Sequence, residues 1–209
     1  MRKIWIVLFL SVFSSLVMAQ TEKGTVFVGV GTSLGLGQSD GLMGLVFNSS
    51  TLELADGTEL EDRLTSFFIS SKGGYFFADR LAAGLELAVS TSSGTTKTDG
   101  VDLESNFSFL GIGPFARYYL PSGKLLPFAE INSLFGTRSQ ETSGSGIQVD
   151  TNFSVANFGG GLGLAFLLGE RSSLDLVASY NSTTLKEDQT DLTTKQRSIG
   201  LKFGFTMFF

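Results

Sequence analysis

Cysteine and histidine are both missing from the 209 residues, and proline occurs three times. Without cysteine there is no disulfide frame, no thiol nucleophile and no CxxC metal site. Without histidine there is no Ser-His-Asp site, no HExxH zinc site and no imidazole base. Charge is thin, at 17% of residues. What abounds is glycine, with 26 residues, and phenylalanine, with 20. That pairing is odd for a soluble enzyme. It suits a barrel whose inner face must be small and whose outer face meets lipid.

The first nineteen residues predict a secretory signal peptide. Arg2 and Lys3 precede an apolar run from Ile4, and Val17-Met18-Ala19 places small residues at −3 and −1 of a cleavage site before Gln20. The run is too short to span a bilayer as a helix. Its removal leaves 13 bases against 20 acids, a mature net charge of −7. Such a chain is a poor partner for nucleic acid. No later run approaches helical span length, so any membrane crossing must be made by strands.

Period-two alternation runs through residues 20–209. At the end of the chain Ile199, Leu201, Phe203, Phe205, Met207 and Phe209 share one face, opposite Gly200, Lys202 and Gly204. Similar segments occur at 25–36, 64–77, 81–90, 108–120, 126–138, 155–168 and 173–182, with 64–77 the least regular. Short breaks at 78–80, 121–125 and 169–172 alternate with long ones near 37–63, 91–105, 139–152 and 183–195. This pattern predicts an all-β chain, an eight-stranded antiparallel up-and-down transmembrane β-barrel with short periplasmic turns and long outer loops. Tyr75, Phe76, Phe77, Tyr118, Tyr119, Phe208 and Phe209 gather beside the short turns and suggest an aromatic girdle.

Charge position fixes the register. Glu86, Arg117, Glu130 and Lys202 all fall on the small, polar face of their strands. A slip of one residue would turn all four into lipid, at about 2–4 kcal/mol for each base near the midplane. Their similar depth predicts a lumen charge network. Because an eight-stranded barrel has little spare interior, this network is expected to plug the lumen, with a gate in a narrow pore as the alternative. Gly159, Gly161 and Gly163 also project inward, where large neighbours need space. No helix pattern follows these glycines, so they do not form a phosphate-binding loop.

The stretch 37–63 carries a net charge of −5 and an apolar island containing Leu42, Met43, Leu45, Val46 and Phe47. It is either a partner-binding surface or a segment folded over the barrel mouth. No catalytic residue, metal site or cofactor is assigned. An acid-pair hydrolase through Glu86 and Glu130 would need a substrate inside a barrel with little room.

The stretches SKGGYFFADRLAAGLELAVS, GIGPFARYYLPSGKLLPFAEI and GGGLGLAFLL, with the ending IGLKFGFTMFF, resemble the outer-membrane β-barrel domain family. The likeness is to the OmpA/OmpX-like small barrels, often labelled porin-like, in the form common in Bacteroidota. It implies a monomeric barrel in the cell outer membrane, in contact with lipid and lipopolysaccharide. Phe203, Phe205, Met207 and Phe209 resemble the terminal signal read by the barrel assembly machinery. The expected role is structural, or surface-interacting with an unidentified surface partner. A narrow channel for ions or small solutes is one alternative, and a soluble lipocalin-like calyx, with its apolar faces turned inward, is another.

Overall fold

The computed structural model describes residues 18–36, 46–53, 59–98, 101–144, 146–188 and 192–209. Residues 1–17 of the expected leader and Leu42, Met43 and Leu45 of the apolar island lie outside these. The strands are β1 (Val26–Leu36), β2 (Val46–Glu53), β3 (Glu59–Ala78), β4 (Leu81–Thr98), β5 (Val101–Tyr119), β6 (Leu125–Gly144), β7 (Ile147–Leu167), β8 (Ser172–Glu187) and β9 (Thr193–Phe208). Apart from β2, each pairs antiparallel with two neighbours in the barrel, β3 pairs with β2 besides, and β1 closes the sheet by pairing with both β9 and β3. Eight strands therefore form the closed barrel. β2 stands outside the closure and pairs with β3 alone, from Val46↔Ser66 to Glu53↔Glu59.

Alternation sets the two faces. Phe67 and Phe77, Leu110 and Leu120, Phe158 and Leu168, and Ile199 and Phe209 are all exposed, and each pair is ten positions apart. At about 3.3 Å rise per residue and about 40° tilt, ten steps span about 25 Å, the height of an outer-membrane apolar belt. A lipocalin-like calyx would need these side chains inside. Their outward placement overturns that alternative.

The long connections turn out to be mostly strand. β4 runs to Thr98 and β5 begins at Val101, so 91–105 is a ladder broken only at its tip. The same holds for 139–152, where β6 ends at Gly144 and β7 starts at Ile147, and for much of 183–195. Within 37–63, Val46 and Phe47 open β2, which forms a hairpin with the start of β3. The physical reason is that a strand needs no apolar face once it leaves lipid. In Thr91-Ser92-Ser93-Gly94-Thr95-Thr96 both faces are polar, so alternation fades while the backbone hydrogen bonds continue.

The short turns match expectation: Asp79-Arg80, residues 120–124 and residues 168–171. Arg80 has φ 66° and Gly169 φ 77°, the left-handed conformation that tight hairpins require. The girdle needs correction. Tyr75, Phe77, Tyr118 and Phe209 are exposed, but Phe76, Tyr119 and Phe208 are buried in the lumen. Neighbours in a strand point to opposite faces, so each aromatic cluster is divided between lipid and core.

Candidate functional site

The lumen is filled in layers along the barrel axis. Nearest the short turns, Phe27, Phe76, Phe115, Tyr119, Phe128 and Phe208 form one buried aromatic cluster with Leu126, Ala165 and Val177. Adjacent rings stand 5.3–6.4 Å apart, the range of favourable aromatic pairs. Toward the long connections, Phe68, Ala88, Phe109, Leu134, Val155 and Leu185 form a second apolar cluster.

Between the two lies a charged band, placed there by strand periodicity. On β3, Lys72 sits inward between Phe76 and Phe68. On β4, Glu86 lies between Ala82 and Ala88. On β6, Glu130 and Asn132 separate Phe128 from Leu134.

Arg117 is the hub of this band. Its Nη2 is 2.7 Å from Glu130 Oε2, and its Nε donates to the same oxygen at 2.8 Å. Nη1 donates to Asp175 Oδ2 at 2.6 Å and to Tyr119 Oη at 2.9 Å. The guanidinium also stacks 4.1 Å from the centre of the Phe128 ring. The planar fork of arginine permits all of this at once, where a lysine would supply only a point charge.

Lys72 extends the network by bonding Glu130 and lying 3.7 Å from Glu86. Glu86 accepts from Asn132 Nδ2 at 3.0 Å. Asp175 accepts from Ser173 and Thr206 at 2.7 and 3.0 Å.

Of the residues expected from sequence, Glu86, Arg117 and Glu130 are thus drawn into one bonded cluster. Lys202 lines a cavity of about 40 Å³ beside them. Lys72 and Asp175 belong to the cluster and were not grouped with it. Both stand on inward faces readable in the sequence, and the test that placed the other four charges would have found them.

The remaining candidates fall elsewhere. Phe203, Phe205, Met207 and Phe209 all face lipid. Phe209 also exchanges backbone hydrogen bonds with Val26, at 2.8 and 3.1 Å, where the last strand meets the first. The glycines provide lumen space. A Cβ on Gly163 would strike the Phe128 ring, and one on Gly159 would meet Asn132 Oδ1 and Asn181 Oδ1. Among the described residues no three acids converge in a group that could hold a metal ion.

Residues 20–25 brace the short-turn end of the barrel. Gln20 Nε2 donates to Gly169 O at 2.9 Å, Thr21 O accepts from Arg80 N at 2.6 Å, and Lys23 N donates to Asp79 Oδ1 at 3.0 Å. Two of the short turns are thereby tied to the segment that enters β1.

A family model described as outer membrane protein beta-barrel domain matches residues 5–205. No curated protein matches the chain. Several solved structures are similar. Ail, the attachment invasion locus protein of Yersinia pestis, is 13% identical over 90% of this chain and 99% of its own, with a TM-score of 0.47. Neisserial surface protein A is 13% identical over 88% and 95%, with a TM-score of 0.43. The N-terminal β-barrel domain of Pseudomonas aeruginosa OprF is 16% identical over 90% and 98%, with a TM-score of 0.39.

Proposed function

Because the chain belongs to the outer membrane protein beta-barrel domain family, and so to the cell outer membrane, we propose that it works as a closed, non-enzymatic barrel that anchors a displayed surface. The observation that carries this reading is the filled lumen. Two apolar layers bracket a bonded charge band, and the cavity within the band, about 40 Å³, has room for only a few waters. An eight-stranded barrel of ordinary diameter is filled by its own side chains.

The displayed surface is the wall that β3 to β8 raise above the apolar belt, together with the β2–β3 hairpin. The apolar island from Leu42 to Phe47 leads into that hairpin and is our candidate contact for a surface partner. Lipid and lipopolysaccharide surround the barrel as a monomer, and the assembly machinery reads the terminal strand.

The test is solute-driven swelling of vesicles that hold the refolded protein. No swelling above protein-free vesicles is expected with a pentose, once heat-modifiable migration has shown that the protein is folded. Swelling that tracks protein content would instead favour the narrow-channel reading.

A further inference from the structure

Charge on the outer face of the wall is sorted by height above the apolar belt. The topmost large lipid-facing side chains include Phe67 on β3, Leu110 on β5, Phe135 on β6 and Ile199 on β9, all exposed. In the next two outward positions of each strand from β3 to β9, the only charged residues are Arg63 on β3 and Arg197 and Lys195 on β9. All three are bases, and all three are exposed. The first outward acids on β5 and β6, Glu104 and Glu141, stand six positions above Leu110 and Phe135. This sorting runs against the composition, because residues 20–209 carry 20 acids against 13 bases.

Height decides what the bases meet. At about 3.3 Å rise per residue and about 40° tilt, two positions raise a side chain by about 5 Å and six by about 15 Å. The polar headgroup layer is about 5–8 Å deep on each side of a bilayer. Arg197 stands in that layer. Lys195 and Arg63, four positions above Ile199 and Phe67, stand at its outer margin and reach back into it through their long stems. Glu104 and Glu141 stand clear above it.

The bases also share one side of the barrel, since β1 alone separates β9 from β3 in the closed sheet. Arg197 and Lys195 are about 7 Å apart along one face of β9. Neither side chain has an ion pair or hydrogen bond among the described residues. Lys97, higher on the wall, by contrast pairs with Asp102 at 3.8 Å. Just below the two bases, Tyr180 and Ile199 lie opposite each other in the β8–β9 ladder, and both are exposed. They give acyl chains an apolar surface directly under the charges.

We propose that this sector binds the phosphate groups of the outer-leaflet glycolipid, with Lys195 and Arg197 as the principal contacts and Arg63 flanking them across β1. Phosphate matches the pair, because the arginine fork takes two of its oxygens and the lysine supplies a point charge beside them. The inference rests on the reading that the long strands face outward among lipopolysaccharide. It does not depend on whether the lumen is closed.

Native mass spectrometry of the refolded wild-type protein with lipid A tests this. Lipid A carrying both phosphates should be retained at least about tenfold more tightly than the same lipid stripped of them, two bases contributing about fivefold each at a charged lipid surface. Equal retention overturns the proposal without recourse to any variant. Lys195→Gln combined with Arg197→Gln, with folding verified by heat-modifiable migration, should weaken retention of the phosphorylated lipid about thirtyfold. Lys97→Gln, above the headgroup layer, should leave it unchanged. Unchanged affinity in the double variant, or an equal loss in Lys97→Gln, would overturn the site. Tighter retention of a soluble acidic polysaccharide than of lipid A would assign the bases to a different partner and overturn it as well. Vesicle swelling reports on the lumen alone, so failure of the closed-barrel reading stays separate from failure here.

Discussion

Replacing Arg117 with methionine isolates the contribution of the charge band. The substitution keeps an unbranched side chain under Phe128 and removes every donor. Glu130 retains Lys72 as a partner, but Asp175 keeps only the hydroxyls of Ser173 and Thr206 and loses its ion-paired cation. Both acids are buried, with 3% and 5% of their surface exposed, so solvent can do little to replace the lost charge. Breaking one partner of a dry, buried pair costs about 3–5 kcal/mol. At about 1–3 kcal/mol per molar urea, that is a midpoint lower by at least about 1 M. The assay is urea unfolding in lipid vesicles, followed by circular dichroism and heat-modifiable migration. Arg117→Met combined with Asp175→Asn removes the orphaned charge and should recover part of the loss. A single variant within about 1 kcal/mol of wild type, the value of a solvated pair, would show that the band is wet and would refute the sealed-lumen reasoning.

Other substitutions probe the lumen packing, the lipid belt and the terminal strand. Gly163→Val drives a side chain into the Phe128 ring and should cost about 1–3 kcal/mol of unfolding free energy, whereas Gly73→Ala, with open space at its Cβ, should be neutral. Leu162→Arg, exposed near the middle of the belt, should cost about 2–4 kcal/mol in lipid vesicles. The same change at Leu192, exposed above the belt, should leave the unfolding midpoint within error. Phe209→Ala keeps the backbone bonds to Val26 but removes the terminal ring. It should lower the amount of protein assembled in cells while refolded stability in vesicles stays close to wild type. An equal loss in both settings would mean that the ring serves the fold and not its assembly.

Legibility in the sequence followed the solvent. Inside the belt, lipid on one side and a packed lumen on the other impose strict alternation. There the faces of β1, β4, β5 and β9, and the inward turn of Glu86, Arg117 and Glu130, could be read residue by residue. Above the belt water wets both sides, and Ser/Thr-rich strands such as 91–98 carry no alternating signal, so they looked like loops. The β2 hairpin was hidden for the same reason. Lys72 shares the inward face of β3 with Ser70 and Gly74, a position the alternation of 64–77 already shows. Asp175 was passed over although its inward position was plain. The split of each aromatic pair between girdle and core follows from parity alone. Tyr118 faces lipid and Tyr119 faces Arg117, a division that proximity to a turn cannot reveal. The pairing partners within the band were beyond reach, because they depend on barrel closure and stagger, which no single strand encodes.

The central claim is a lumen closed by two apolar layers around a bonded charge band. Single-channel recording of the refolded mature protein in a planar bilayer, beside Arg117→Ala and Glu130→Ala, tests it most directly. A silent wild-type trace is expected, with insertion verified by protease protection. Discrete conductance steps in the wild type, growing in the two variants, would contradict it and would make the charge band the gate of a pore.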